Sequence, residues 1–318
     1  MKLIRHNLII ISDYDYYNIK DLKIGTATEL ELFIKKDEDF YMVIEVGTQV
    51  TEELYAEITG YKYIYILKKE IANKAIAHDN LRDLIDENRD DLKKIIDILY
   101  EFNNQIFDNF LSSKENKIDL ESVKSIVKST IFLIKDKQEF IRDIMPYLSV
   151  GDKLSNHSLH VAMYTIKLAA LLDFDDNNLI RIGTAALLHD VGYKNISNDT
   201  LNKTTRLSDK ETQQIHQHSQ YSINILLQNG IDDLLIIDGV LHHHERYDGS
   251  GYPRRFKKDR ISNFASILGI CDVFDALTNS RPHRKEFKTF DALNMMLKDP
   301  SMVNKFNIKY LLLAIKSL

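Results

Sequence analysis

One cysteine, no tryptophan and four prolines are spread over 318 residues. The lone thiol, Cys271, excludes a disulfide framework within the chain. It lies in an apolar run beside Asp272 and reads as a buried reduced thiol rather than a metal thiolate. No long hydrophobic run exists. Stretches such as Leu8 to Ile11 are far too short to cross a membrane. A signal segment is also missing from the N-terminus, where acids follow at once. These absences predict a cytoplasmic protein without membrane insertion. The chain is nevertheless 44% hydrophobic and 28% charged, and its length allows two domains.

The net charge of −5 is unevenly distributed. Residues 1–113 hold 14 basic and 22 acidic side chains, whereas residues 114–318 hold 28 and 25. Within the second part, residues 246–288 have ten basic and five acidic side chains, a local positive field suited to a small anion. The balance does not suit a duplex DNA binder.

Residues 1–70 read as a β-rich module. Leu8–Ile11, Leu30–Ile34, Tyr41–Val46 and Tyr61–Leu67 are short runs rich in β-branched and aromatic residues. Turns are expected at Asp13 to Tyr17, Lys36 to Asp39 and Gly47. Thr51 to Ile58 suits a short helix with Thr51 as its N-cap. Over 71–117 the pattern turns helical: Leu81, Leu84, Ile85, Leu92, Ile95, Ile96 and Leu99 recur at spacings of three and four. This segment is expected to connect or to dimerise. Residues 118–318 read as all-helical, with interruptions near Tyr193–Thr205 and Tyr247–Arg260. The expected fold class is α+β, with an N-terminal β-rich module, a helical connector and an all-α C-terminal domain.

Eight of the eleven histidines fall between positions 157 and 244, in the company of aspartates. The order is His157, His189-Asp190, His218, His243-His244 and then Asp272. Imidazole and carboxylate together suit divalent iron, manganese or zinc. Adjacent residues on a helix lie about 100° apart. The His189-Asp190 and His243-His244 pairs can therefore converge only at a helix end or in a wide cavity. Asp272 sits in an apolar helix and needs a charge partner there. His160 and His242 are expected to be structural or peripheral.

These residues also spell motifs. His243-His244-Glu245-Arg246-Tyr247-Asp248-Gly249-Ser250-Gly251-Tyr252-Pro253 resembles the HHExxDGxGYP signature of HD-GYP domains, a branch of the HD superfamily of metal phosphohydrolases. Leu188-His189-Asp190-Val191-Gly192 resembles the HDxG element of that family. Asp272 to Thr278 and Arg281-Pro282-His283-Arg284 resemble its DxFDALTxxRPYR element. The resemblance covers roughly residues 118–318.

The resemblance implies an HD-type helical bundle that hydrolyses cyclic di-GMP, a bacterial second messenger, to linear pGpG and in some members on to GMP. It implies two divalent metal ions, iron or manganese, and attack on phosphorus by a bridging hydroxide. One metal is assigned to His157, His189, Asp190 and Asp272. The other is assigned to His218, His243 and His244, with Asp190 as the bridge. Asp190 and Lys194 are the expected catalytic residues, and Tyr252, Arg281 and Arg284 the expected substrate contacts. Glu245 and Asp248 are expected to tie the loop behind the metals. Homodimerisation through the N-terminal module or the connecting helix is a further expectation.

Three positions depart from the family pattern. Tyr193 stands where most members have lysine, which leaves Lys194 as its nearest substitute. Lys153 replaces a glutamate of three-metal members and points to two metals. His283 replaces a tyrosine. Two other readings stay open: a degenerate receptor for cyclic di-GMP, and an HD hydrolase of another cyclic dinucleotide.

Overall fold

The computed structural model describes residues 4–5, 14–36, 39–67, 81–137, 139–148, 153–201, 203, 205–279 and 285–318. The chain divides into two compact units, Met1–Ala77 and His78–Leu318.

In the first unit, five strands form one antiparallel sheet in the order β1-β4-β3-β5-β2. They are β1 (Ile4–Arg5), β2 (Tyr14–Tyr17), β3 (Leu32–Lys36), β4 (Asp39–Ile44) and β5 (Ile64–Leu67). Helix α1 (Glu52–Thr59) starts where the sequence signals it, with the Thr51 hydroxyl accepting from the Leu54 amide. Gly47 takes the positive φ that its turn requires. One expectation is corrected: Tyr14–Tyr17 is a strand, not a turn, paired with β5 from Tyr14–Leu67 to Tyr17–Ile64. Its aspartates suggested a turn, but cross-strand tyrosine packing prevails; Tyr16 lies 5.1 Å from Tyr65, ring to ring. The expected strand at Leu8–Ile11 lies outside the described residues.

The described part of the second unit is helical. In chain order it holds α2 (Leu81–Glu87), α3 (Leu92–Ser112), α4 (Leu120–Asp136), α5 (Phe140–Ile144), α6 (Leu154–Ala170), α7 (Asp176–Leu188) and α8 (Asn198–Leu201). Then follow α9 (Asp209–His216), α10 (His218–Gln228), α11 (Leu234–His242), α12 (Asn263–Thr278), α13 (Thr289–Lys298) and α14 (Ile308–Ser317). Helices α6, α7, α11 and α12 pack on one another and carry most of the candidate site. Side-chain caps set many of the starts: Asp119 for α4, Asp175 for α7, Asp233 for α11 and Ser262 for α12.

The amphipathic segment before residue 118 folds with the helices that follow. Ile95, Ile96, Leu99, Phe102, Ile106, Phe107 and Phe110 of α3 are all buried, and α3 packs on α4 and α6. Its apolar stripe is thus used inside the unit. Among the described residues, no helix is long and apolar enough to cross a membrane.

Candidate metal centre

Three of the clustered histidines share one construction. His189 follows the last residue of α7, His243 follows the last residue of α11, and His218 lies two residues beyond the end of α9. A helix end leaves carbonyl oxygens without amide partners. Each imidazole uses the one three residues before it: His189 Nδ1 donates to Ala186 O at 2.8 Å, His218 Nδ1 to Ile215 O at 2.7 Å, and His243 Nδ1 to Val240 O at 2.7 Å. A carbonyl only accepts, so Nδ1 carries the proton and Nε2 presents its lone pair inward when the ring is neutral.

The adjacent pairs converge because the chain leaves its helix between them. His189 keeps helical angles, whereas Asp190 (φ −107°, ψ 9°) begins the 3-10 turn Val191–Asn195. Ser222 clamps that turn, donating to His189 O at 2.7 Å and accepting from the Gly192 amide at 2.9 Å. Gly192 has to be glycine, since a β-carbon there would overlap the His218 carbonyl and the Ser222 amide.

Asp190 divides its two oxygens. Oδ2 lies 3.2 Å from His189 Nε2 and 3.5 Å from His157 Nε2. Oδ1 lies 3.1 Å from His218 Nε2 and 3.6 Å from His243 Nε2. Asp272 faces His157 Nε2 at 3.4 Å with one oxygen and His244 Nδ1 at 3.7 Å with the other. The structure therefore brings all seven side chains together, in two groups. Asp190, His218, His243 and His244 form one, and His157, His189 and Asp272 the other, with donor atoms in each group within 4.8 Å of one another.

The donor set fits divalent cations. His189 Nε2, His244 Nε2 and Asp190 Oδ1 are buried without a hydrogen-bond partner. Unpaired buried polar atoms are costly and call for an explanation. Cations at the two groups would satisfy all three. Without them, protons compensate. Burial opposes charge on His157, yet Asp190, Asp272 and Asp275 hold its pKa well above the ordinary histidine value. Burial pushes His244 well below that value, with His243 adding to the effect. Burial opposes ionisation of Asp190, but His189 and His218 keep its carboxyl well below the usual range.

His157 is built differently. It lies in the first turn of α6, and its Nδ1 donates to Asp275 Oδ2 at 2.7 Å. The sequence reading did not single out Asp275. The signal available was its spacing of three from Asp272, which puts both carboxylates on one face of α12.

A family described as the HD domain matches residues 133–301. This chain belongs to the HD domain family, and its type is HD-GYP. The HD-GYP chain is 36% identical over 155 residues to a cyclic di-GMP phosphodiesterase of Pseudomonas aeruginosa, covering 47% of this chain and 37% of that protein. It is 37% identical over 143 residues to the 3'3'-cGAMP-specific phosphodiesterase 3 of Vibrio cholerae, covering 45% and 31%. The chain thus spans about a third of the length of these two relatives. A cyclic di-GMP phosphodiesterase of Thermotoga maritima is 28% identical over 203 residues, covering 58% and 55%. The fold resembles that of Bd1817, an HDG"Y"P protein from Bdellovibrio bacteriovorus, with TM-score 0.63 at 16% identity over 96% of this chain and 99% of that one.

The remaining HD-GYP positions fall in different places. Tyr252 reaches the centre: its ring stacks on His244 at 4.6 Å and on His216 at 3.7 Å. Glu245 ties the loop by accepting from the amides of Arg254 (2.6 Å) and Phe256 (2.9 Å), and Asp248 accepts from Ser250 N at 2.8 Å.

Lys194 is a correction. Its ammonium donates to the carbonyls of Phe110 (2.7 Å) and Ser113 (2.6 Å), so it caps the end of α3 and does not serve the cluster. A one-residue shift in the 3-10 turn turns it aside, and Tyr193 takes the inner face, stacked on His218. Lys153 stands exposed at the N-cap of α6. Arg281, His283 and Arg284 lie outside the described residues.

Proposed function

We propose that this chain is a metal-dependent phosphodiesterase that opens cyclic di-GMP to linear pGpG, with GMP as the product of a second cleavage. The division of the Asp190 oxygens between two histidine groups carries the reading. A carboxylate so placed suits a pair of metals, assigned here as iron or manganese: His157, His189 and Asp272 on one side, His218, His243 and His244 on the other, and Asp190 between. A bound divalent pair supplies Lewis acidity towards the phosphodiester and a nucleophilic water whose pKa falls to about 7.

The chain's own groups do the rest. The Nδ1 bonds of His157, His189, His218 and His243 hold those imidazoles in the ligating tautomer. Burial, then Asp190 and Asp272, raise the pKa of Tyr252, so its phenol stays protonated and is available as a hydrogen-bond donor to substrate. Arg281 and Arg284 are assigned to phosphate or guanine from the sequence alone, since a guanidinium grips both bidentately. Asp190 keeps its catalytic assignment as the bridge. With the α3 stripe buried, homodimerisation is assigned to the N-terminal unit, which is also the proposed regulatory part.

A second reading, hydrolysis of a mixed cyclic dinucleotide, is favoured by the Vibrio cholerae relative named for 3'3'-cGAMP. Product chromatography on both dinucleotides with Mn²⁺ separates the two. The first reading expects pGpG from cyclic di-GMP and no turnover by His189→Ala. Nucleotide that binds but stays intact supports a receptor instead.

A further inference from the structure

Unlike His189, His218 and His243, His157 is not oriented by a helix-end carbonyl, and its orientation comes from a chain of side chains. Asp275 Oδ2 accepts from His157 Nδ1, and the Asn279 amide donates to the same oxygen at 2.8 Å. Asp275 Oδ1 accepts from His160 Nδ1 at 2.9 Å. With Nδ1 donating, the neutral His160 ring accepts at Nε2, and the Tyr100 hydroxyl lies 2.5 Å from that atom.

Tyr100 belongs to α3, which lies outside the family match at residues 133–301. Two further contacts join α3 to the first turn of α6. Asn103 Nδ2 donates to Ser155 O at 2.5 Å, and Asn104 Oδ1 accepts from the Ser155 hydroxyl at 2.7 Å. Tyr100, Asn103 and Asn104 share one face of α3, at spacings of three and four. They grip the two turns of α6 that present His157.

We propose that Tyr100 and His160 are positioning residues for the metal group built on His157. Tyr100 fixes the His160 ring, His160 fixes Asp275, and Asp275 aims His157 Nε2 at Asp190 and Asp272. Through Tyr100, helix α3, which follows the N-terminal unit in the chain, thereby positions the metal group built on His157. This rests on the reading of the cluster as a two-metal centre.

The test is calorimetric titration of the metal-free full chain with Mn²⁺, which reads binding and not hydrolysis. Tyr100→Phe keeps the ring and removes the hydroxyl. It is expected to weaken one of two resolved sites by about tenfold, the lower end of what outer partners contribute to metal affinity, and to leave the other unchanged. His160→Ala should weaken the same site further, and His160→Asn, which restores a donor towards Asp275, should recover part of the loss. Two unchanged sites in Tyr100→Phe, or equal weakening of both, overturns the proposal. A wild-type chain that takes up no Mn²⁺ removes the two-metal reading itself, and this inference with it.

Discussion

Tyr193 lies flat against His218, with ring centroids 4.4 Å apart and planes 7° apart. On the HD-GYP pattern that the sequence resembles, lysine is expected at this position; here the position holds a ring that packs against one imidazole of the cluster. Tyr193→Phe is expected to keep metal affinity and turnover. Tyr193→Ala should cost about 0.5–1.5 kcal/mol of stability, the worth of an aromatic pair. Tyr193→Lys should raise kcat on cyclic di-GMP by about tenfold, less than the roughly 10²–10³ of one preorganised donor. Steady-state kinetics and thermal unfolding of the three variants check this.

Among the described residues, Asp190 is the side chain whose two oxygens face both histidine groups through Nε2 atoms. Asp190→Asn should therefore strip both metals, whereas Asp272→Asn or His157→Ala should strip one. Metal analysis per chain after dialysis reads the difference: near zero for the first variant and near one for the others. Turnover in Asp190→Asn should fall by at least about 10³-fold, the scale of lost transition-state electrostatics.

Gly192 lets the turn after Asp190 press against α10. In Gly192→Ala the new methyl meets backbone atoms of His218 and Ser222, which cannot rotate away. A loss of about 1–3 kcal/mol or more is expected for such overpacking, read as a lower unfolding midpoint. An unchanged midpoint counts against the tight turn described here.

Cys271 is fully buried, and burial pushes its thiol up to about 12. The native chain should resist alkylation at pH 7–8 for hours and react only as it unfolds, since the thiolate is the nucleophile. Mass spectrometry along a denaturant series reads this; rapid labelling of the folded chain contradicts it.

Five of the seven clustered residues were legible because they sit in short motifs, His157 and His218 because they fall in the same run of histidines along the chain, and helix ends let neighbouring side chains converge. Thr51 as a cap and the buried face of α3 were legible for equally local reasons, a hydroxyl before a helix and a spacing of three and four. The orienting network was not. Tyr100 and His160 are 60 positions apart and His157 and Asp275 are 118 apart, and no local pattern reports such contacts. Lys194 misled because charge alone does not reveal direction: one step along a 3-10 turn sent it to the Phe110 and Ser113 carbonyls. Tyr14–Tyr17 misled because aspartate signals turns, while ring packing across β5 decides the outcome.

The most direct measurement is hydrolysis by the full chain, prepared anaerobically, loaded with Mn²⁺ or Fe²⁺ and incubated with cyclic di-GMP, with products resolved by chromatography. Two-metal phosphodiesterase chemistry predicts pGpG or GMP from the loaded protein and neither from His189→Ala or after chelation. Intact cyclic di-GMP after incubation with metal-loaded protein would contradict it.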